Sequence, residues 1–221
     1  TGKYSDYTAN NGLAQRVSTI GTYTDTLQTL TLLFLKQWQV QVNYGVIQPD
    51  GTTVSAIMDN NGQPLQQQIN GDLSTPISLY GNNGIIANLP GYIYAGVQTR
   101  TDTTNWAPLA NNATEIPFID GNQSVLVLYR VAQSATVTYQ DQTTGQVLKT
   151  VTPTDDSSLI GVAGQTSSYS SYDQIAAYEQ QGYRLVSDAT LTADGQSAMV
   201  FGDTGQPTNF VVTLAHTYQA G

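Results

Sequence analysis

The sequence predicts an α+β chain of two tandem, strand-dominated modules. Three observations carry this: alternating apolar segments, a supersecondary plan that recurs 95 residues later, and a residue bias towards Thr, Val, Tyr and Gly. Such residues suit pleated, half-buried strands better than helices. At 221 residues the chain has room for two modules of about 90–110 residues each.

The first plan opens with WQVQVNY, in which Trp38, Val40, Val42 and Tyr44 share one face. A turn with Gly51 leads to a second extended stretch over residues 52–57, which predicts a β-hairpin. The second plan opens with ATVTY, where Ala135, Val137 and Tyr139 alternate in the same way, turns at Gly145 and returns over residues 146–151. Gly91-Tyr92 and Gly182-Tyr183 follow at matching distances. Each copy then ends in a closing strand, Ser124–Val131 in the first and Asn209–Tyr218 in the second. Three landmarks in the same order at nearly the same spacing indicate an internal repeat.

Between hairpin and closing strand, the second copy reads as a helix. Ser171 is the expected N-cap, with Gln174 completing a capping box. Tyr172, Ile175, Ala176 and Glu179 fall at helical spacing, and Gly182 stands where a helix-ending glycine belongs. The corresponding first-copy stretch is broken by Gly81, Gly84 and Pro90, so its helix should be shorter or irregular. Residues 1–36 belong to neither copy. Their apolar run Thr26–Leu35 is expected to be an extra strand of the first module, or the tail of a preceding one. The modules are therefore 37–132 and 133–221. Their junction near Val131–Ser134, short and free of Gly and Pro, implies an elongated pair with limited hinge freedom.

Charged residues make up only 10% of the chain, against roughly 25% in ordinary globular proteins. Gln, Asn, Ser and Thr must supply most of the surface polarity. The net charge of −9 repels phosphate backbones and anionic lipid, which argues against nucleic acid as a partner. The absence of cysteine removes disulfides, thiolate catalysis and cysteine metal sites. The chain opens without a signal peptide and is expected to be a fragment of a longer protein. The apolar run at Leu30–Leu35 is too short to span a bilayer, so no membrane insertion is expected.

The second copy carries a specific resemblance. VTYQDQTTGQVL, YSSYDQIAAYEQQGYRLVSD and FVVTLAHTYQ resemble the mucus-binding (Mub/MucBP) repeat of lactic-acid-bacterial surface adhesins. The pattern falls on Val137, Tyr139, Asp141, Thr144 and Gly145; on Ile175, Tyr178, Gly182, Tyr183, Leu185, Val186, Ser187 and Asp188; and on Val212, Leu214 and His216. VFGDTGQPTN, before the last strand, is poorer in acid than that family's usual segment. The resemblance implies β-grasp (ubiquitin-like) modules. It also implies a cell-wall-anchored adhesin that binds host mucin glycans, with immunoglobulin or other host-protein binding, or a purely structural spacer, as the alternatives.

Catalysis finds little support. His216, the single histidine, shares a face with Phe210, Val212, Leu214 and Tyr218 and reads as a structural residue at the module's edge; no G-x-S-x-G stretch accompanies it. The two glutamates, Glu115 and Glu179, lie in different copies, which disfavours glycosidase chemistry. Asp155, Asp156, Asp188 and Asp194 are conceivable calcium ligands but read better as turn aspartates. No cofactor is expected. The candidate glycan subsite is Trp106 with Asp102 and Asn105, in a polar loop: an aromatic face packs on sugar C–H edges while the amide and carboxylate bond hydroxyls. The competing reading has Trp106 plugging its own module. With few anchors and little positive charge, a single chain is expected to be monomeric and to bind weakly, at about −8 to −4 kcal/mol, gaining strength by avidity.

Overall fold

The computed structural model describes residues 37–102 and 105–216. The expected strand at Thr26–Leu35 and the end of the closing segment at Tyr218 lie outside them. The described residues are β-rich, with 47% strand and 6% helix. In chain order the strands are β1 (Trp38–Ile47), β2 (Val54–Ala56), β3 (Gln66–Gly71), β4 (Ile77–Ser78), β5 (Tyr92–Thr101), β6 (Ala107–Pro108), β7 (Glu115–Ile116) and β8 (Gln123–Asp141), followed by β9 (Val147–Val151), β10 (Ile160–Val162), β11 (Tyr183–Asp188) and β12 (Thr208–His216). One α-helix, α1 (Tyr172–Glu179), occurs among the described residues. None of their helices is long and apolar enough to cross a membrane. Two compact units divide them: 37–44, 58–87 and 96–127 in one, 45–57, 88–95 and 128–216 in the other. Residues 131–134 lie inside β8.

In the first unit, β1 pairs antiparallel with β3 from Trp38↔Gly71 to Asn43↔Gln66. Residues directly opposite share a face. Val40 and Val42 therefore point with Ile69 into the core, while Gln39, Gln41 and Asn43 line up with Asn70, Gln68 and Gln66 on the other side. Gly71 closes the register because a Cβ there would stand 2.4 Å from the Phe118 ring. The segment expected to hold a short or irregular helix holds none. Instead Ile85 and Ile86 N–H donate to the Ser78 and Leu79 carbonyls (3.1 and 3.0 Å). Gly84 makes this doubling-back possible, since its Cβ would lie 2.5–2.6 Å from backbone atoms of Leu79 and Tyr80. Leu79 and Ile85 are buried as a result.

The second unit contains both expected hairpins. β1 continues into β2 through Gly45↔Ala56 and Ile47↔Val54. The turn is fastened by Asp50, whose carboxylate accepts from Thr52 N–H (2.9 Å) and Thr53 N–H (2.8 Å). β8 and β9 pair from Val137↔Val151 onward. Asp141, in the turn between them, accepts from Thr143 N–H (2.9 Å) and the Thr144 hydroxyl (2.8 Å). β12 runs parallel to β8, and β11 antiparallel to β12, giving the order β9–β8–β12–β11. Ala135, Val137 and Tyr139 meet Val212 and Leu214 in one core with Leu159, Tyr178, Met199 and Phe201. Gly161 lets β10 lie against the Phe201 ring, which a Cβ would meet at 2.3 Å.

Helix α1 corrects two expectations. Ser171 makes no capping bond and has helical φ/ψ (−79°, −12°) instead of the extended backbone of an N-cap. Its hydroxyl donates to Asp188, seventeen residues on, and Gln174 accepts from Lys149 Nζ (2.7 Å), so neither half of the capping box forms. The buried helical residue is Tyr178, packed with Ile175, while Tyr172 is 74% exposed. Gly182 does end the helix, at φ 90°.

Candidate functional site

Two sets of aromatic residues could meet a ligand, and the structure treats them differently. The tyrosines of the matched pattern turn inward. Tyr139 and Tyr169 hydroxyls bond each other at 2.8 Å, and burial raises both phenols above their ordinary range. The Tyr139 ring meets Tyr178 at 5.8 Å, Tyr178 meets Tyr183 at 5.7 Å, and Tyr183 meets His216 edge-on at 4.9 Å. This chain of rings joins β8, α1, β11 and β12. His216 ends it as an exposed residue opposite Tyr183 in the β11–β12 register. The expectation of a structural histidine at an edge fits that placement.

Trp106 lies in the first unit, at the return of a hairpin in which Thr99↔Ala107 and Gln98↔Pro108 pair β5 with β6. It is half-buried, with Asn105 and Asp102 exposed beside it in sequence. Asp102 adopts a left-handed φ of 48° and donates its N–H to the Asn122 carbonyl (3.0 Å), which bends the loop. The residue that sequence reasoning missed is Arg100, whose guanidinium carbon stands 4.5 Å over the Trp106 ring centre, a cation–π contact. One ring face is thus occupied by a cation. Arg100 Nε is buried without a hydrogen-bond partner. The short separation of Arg100 and Trp106 across a tight return was the available signal. The loop therefore combines an aromatic ring, a guanidinium, a carboxylate and a carboxamide, a set that bonds hydroxyls while gripping an apolar edge.

The four aspartates weighed as metal ligands all accept hydrogen bonds from nearby hydroxyl or backbone N–H groups. Asp155 is held by Thr152 N–H and hydroxyl (both 2.8 Å), and Asp194 by the Thr192 hydroxyl, contacts that keep both carboxyls below the usual range. Asp156 caps the short 3₁₀ turn Ser157–Leu159 through Ser158 N–H (2.9 Å). Asp188 accepts from Ser171 and from Thr190 N–H (2.8 Å). A separate concavity of about 260 Å³ lies within the second unit, lined in part by Ile47, Pro49, Arg130, Val131, Val162 and Asp203. Nothing in the sequence pattern pointed to it.

Comparison with known proteins bears on the second copy. Residues 133–216 match the family model of the mucin binding domain. The resemblance to mucus-binding repeats is thereby established for that segment. A solved structure, the crystal structure of Mub-RV, is 32% identical over a match covering 38% of this chain and 39% of that one, with a TM-score of 0.30. At that score the likeness says nothing of the fold. The chain thus spans well under half of the Mub-RV chain it matches. No curated protein matches the chain. The Trp106 loop lies outside the matched residues.

Proposed function

We propose that this chain is a non-catalytic segment of a cell-wall-anchored surface adhesin that binds host mucin glycoproteins weakly and multivalently. The observation that carries this reading is the match of residues 133–216 to the mucin binding domain. We read the chain as two β-grasp modules, 37–132 and 133–221. The order β9–β8–β12–β11, with a parallel central pair and a helix between hairpin and last strands, supports that reading for the second. Glycan contact is assigned to Trp106, Arg100, Asp102 and Asn105, supported by the stacked guanidinium and its unpartnered buried Nε.

Surface plasmon resonance on immobilised mucin tests both parts. The isolated chain should bind with a dissociation constant between about 1 μM and 1 mM, and periodate oxidation of the mucin sugars should abolish the signal. Trp106→Ala, which removes the stacking partner of Arg100, should weaken binding about fivefold or more, on the order of 1 kcal/mol. Nanomolar binding by the monomer would sink the multivalent account, and undiminished binding to oxidised mucin would sink the glycan account. Release of free sugar from mucin would overturn the non-catalytic reading.

A further inference from the structure

A sheet edge offers unpaired N–H and C=O groups to any passing strand, and proteins ordinarily blunt such edges by shortness, charge, proline or a bulge. The described strands that pair with a single neighbour follow that rule closely. β2 and β10 have three residues each, and β4, β6 and β7 two. β9 carries Lys149 and a register shift in its pairing with β8; β11 carries Arg184, Asp188 and a register shift opposite β12. The exception is β3. It runs six residues, QQQING, with no charge, no proline and an unbroken register, and β1 is its one partner in the sheet among the described residues.

The hydrogen-bond phase shows which groups the edge presents. Tyr44 N–H donates to the Leu65 carbonyl (3.4 Å), one step beyond the Asn43↔Gln66 pair. Bonded and non-bonded pairs alternate in an antiparallel ladder. Gln67 and Ile69 therefore spend their backbone groups on β1, while those of Gln66, Gln68 and Asn70 point away from it. The side chains of the same three residues are exposed and lie on the amide face, where Gln39 Nε2 donates to Asn70 Oδ1 (3.2 Å) and Gln41 Nε2 to Gln66 Oε1 (2.6 Å). Backbone and side chains thus present one uncharged row of donors and acceptors.

We propose that β3 is a homotypic pairing edge, through which two copies of this chain join antiparallel with Gln68 opposite Gln68 and Gln66 opposite Asn70. A second copy is the occupant because this row is complementary to itself. Each carboxamide both donates and accepts, and the symmetric spacing about Gln68 brings amide onto amide. Two like-charged edges would repel here, but a neutral glutamine row stacks as amide ladders do. The net charge of −9 on each chain opposes approach. The pairing is therefore weak: dilute chains stay monomeric, and copies held at high local density associate.

Backbone amide exchange by NMR tests this on the intact chain, with concentration raised from roughly 10 μM to 1 mM alongside sedimentation velocity. Exchange at Gln66, Gln68 and Asn70 should slow at least tenfold as a dimer forms, while Gln67 and Ile69, already bonded to β1, should change little. Gln68→Pro removes an outward N–H without touching the β1 ladder, and Gln68→Lys sets two cations face to face; either should abolish the dimer. Should the proline variant fail to fold, the lysine variant decides alone. A monomer at the highest concentration, a dimer that survives Gln68→Lys, or slowing confined to β9 or β11 would each overturn the proposal.

Discussion

Tyr44 and Tyr139 stand 95 residues apart at the same place in two alternating strands, both almost completely buried, yet their hydroxyls find different partners. Tyr44 donates to the backbone carbonyl of Ile85 (2.9 Å) and also lies 3.0 Å from Gln67 Oε1. Tyr139 bonds the hydroxyl of Tyr169 (2.8 Å). The difference follows from the middle segments. A helix spends its interior carbonyls on its own N–H groups, so the segment around α1 meets Tyr139 with side chains. The glycine-broken stretch 79–87 folds back on itself and leaves the Ile85 carbonyl for Tyr44. A buried phenol must be satisfied, and the local backbone decides by what.

Five substitutions and one titration test the contrast between the two regions. Gly161 and Gly71 each seat a strand against a phenylalanine, but Gly161 also has Gln165 Oε1 at 3.0 Å, whereas the three atoms nearest a Cβ at Gly71 all belong to the Phe118 ring. Gly161→Ala should cost about 1–3 kcal/mol in urea unfolding, and Gly71→Ala less, because the Phe118 ring can swing aside. Equal losses would show that the two rings are equally confined. Next come the hydroxyls. Tyr44→Phe strands a buried carbonyl and should cost about 1–3 kcal/mol, while Tyr139→Phe leaves a Tyr169 hydroxyl that can rotate and should cost about 0.5–1.5 kcal/mol. A reversed order would mean that Tyr169 is as tightly fixed as the Ile85 backbone.

The smallest effect concerns the exposed turn at Asp50. Hydrogen bonds from the Thr53 hydroxyl and from Thr52 and Thr53 N–H lower its carboxyl to about 2. A depressed carboxyl contributes stability that is complete above its unfolded value, about 3.9, and is lost as pH falls through the folded one. Exchange of the Thr52 and Thr53 amides should accelerate between about pH 4 and pH 2, with the core unaffected. Asp50→Asn should flatten that pH dependence.

Much of the strand framework was legible because it depends on alternation alone: Val40, Val42 and Tyr44, and Ala135, Val137 and Tyr139, point inward as the pattern requires. The weakness of a first-copy helix was equally visible in Gly81 and Gly84. What could not be read was any choice between a local and a distant partner. Ser171 had the right chemistry for a cap, in which its oxygen would accept from a helix N–H, but its helical backbone does not place it there and its hydroxyl donates to the distant Asp188 carboxylate. Arg100 stayed unnoticed beside Trp106 for the same reason, since its stacking depends on how the β5–β6 return closes.

The run of rings from Tyr139 to His216 has an optical consequence. Both tryptophans, Trp38 and Trp106, precede residue 107, so residues 133–216 contain none. Excitation at the red edge therefore reports on the first unit alone. The packed rings of Tyr139, Tyr178 and Tyr183 contribute to the near-ultraviolet dichroism, so in a single unlabelled sample a loss of dichroism that leaves tryptophan emission unchanged points to the tyrosines and not to the tryptophan sites.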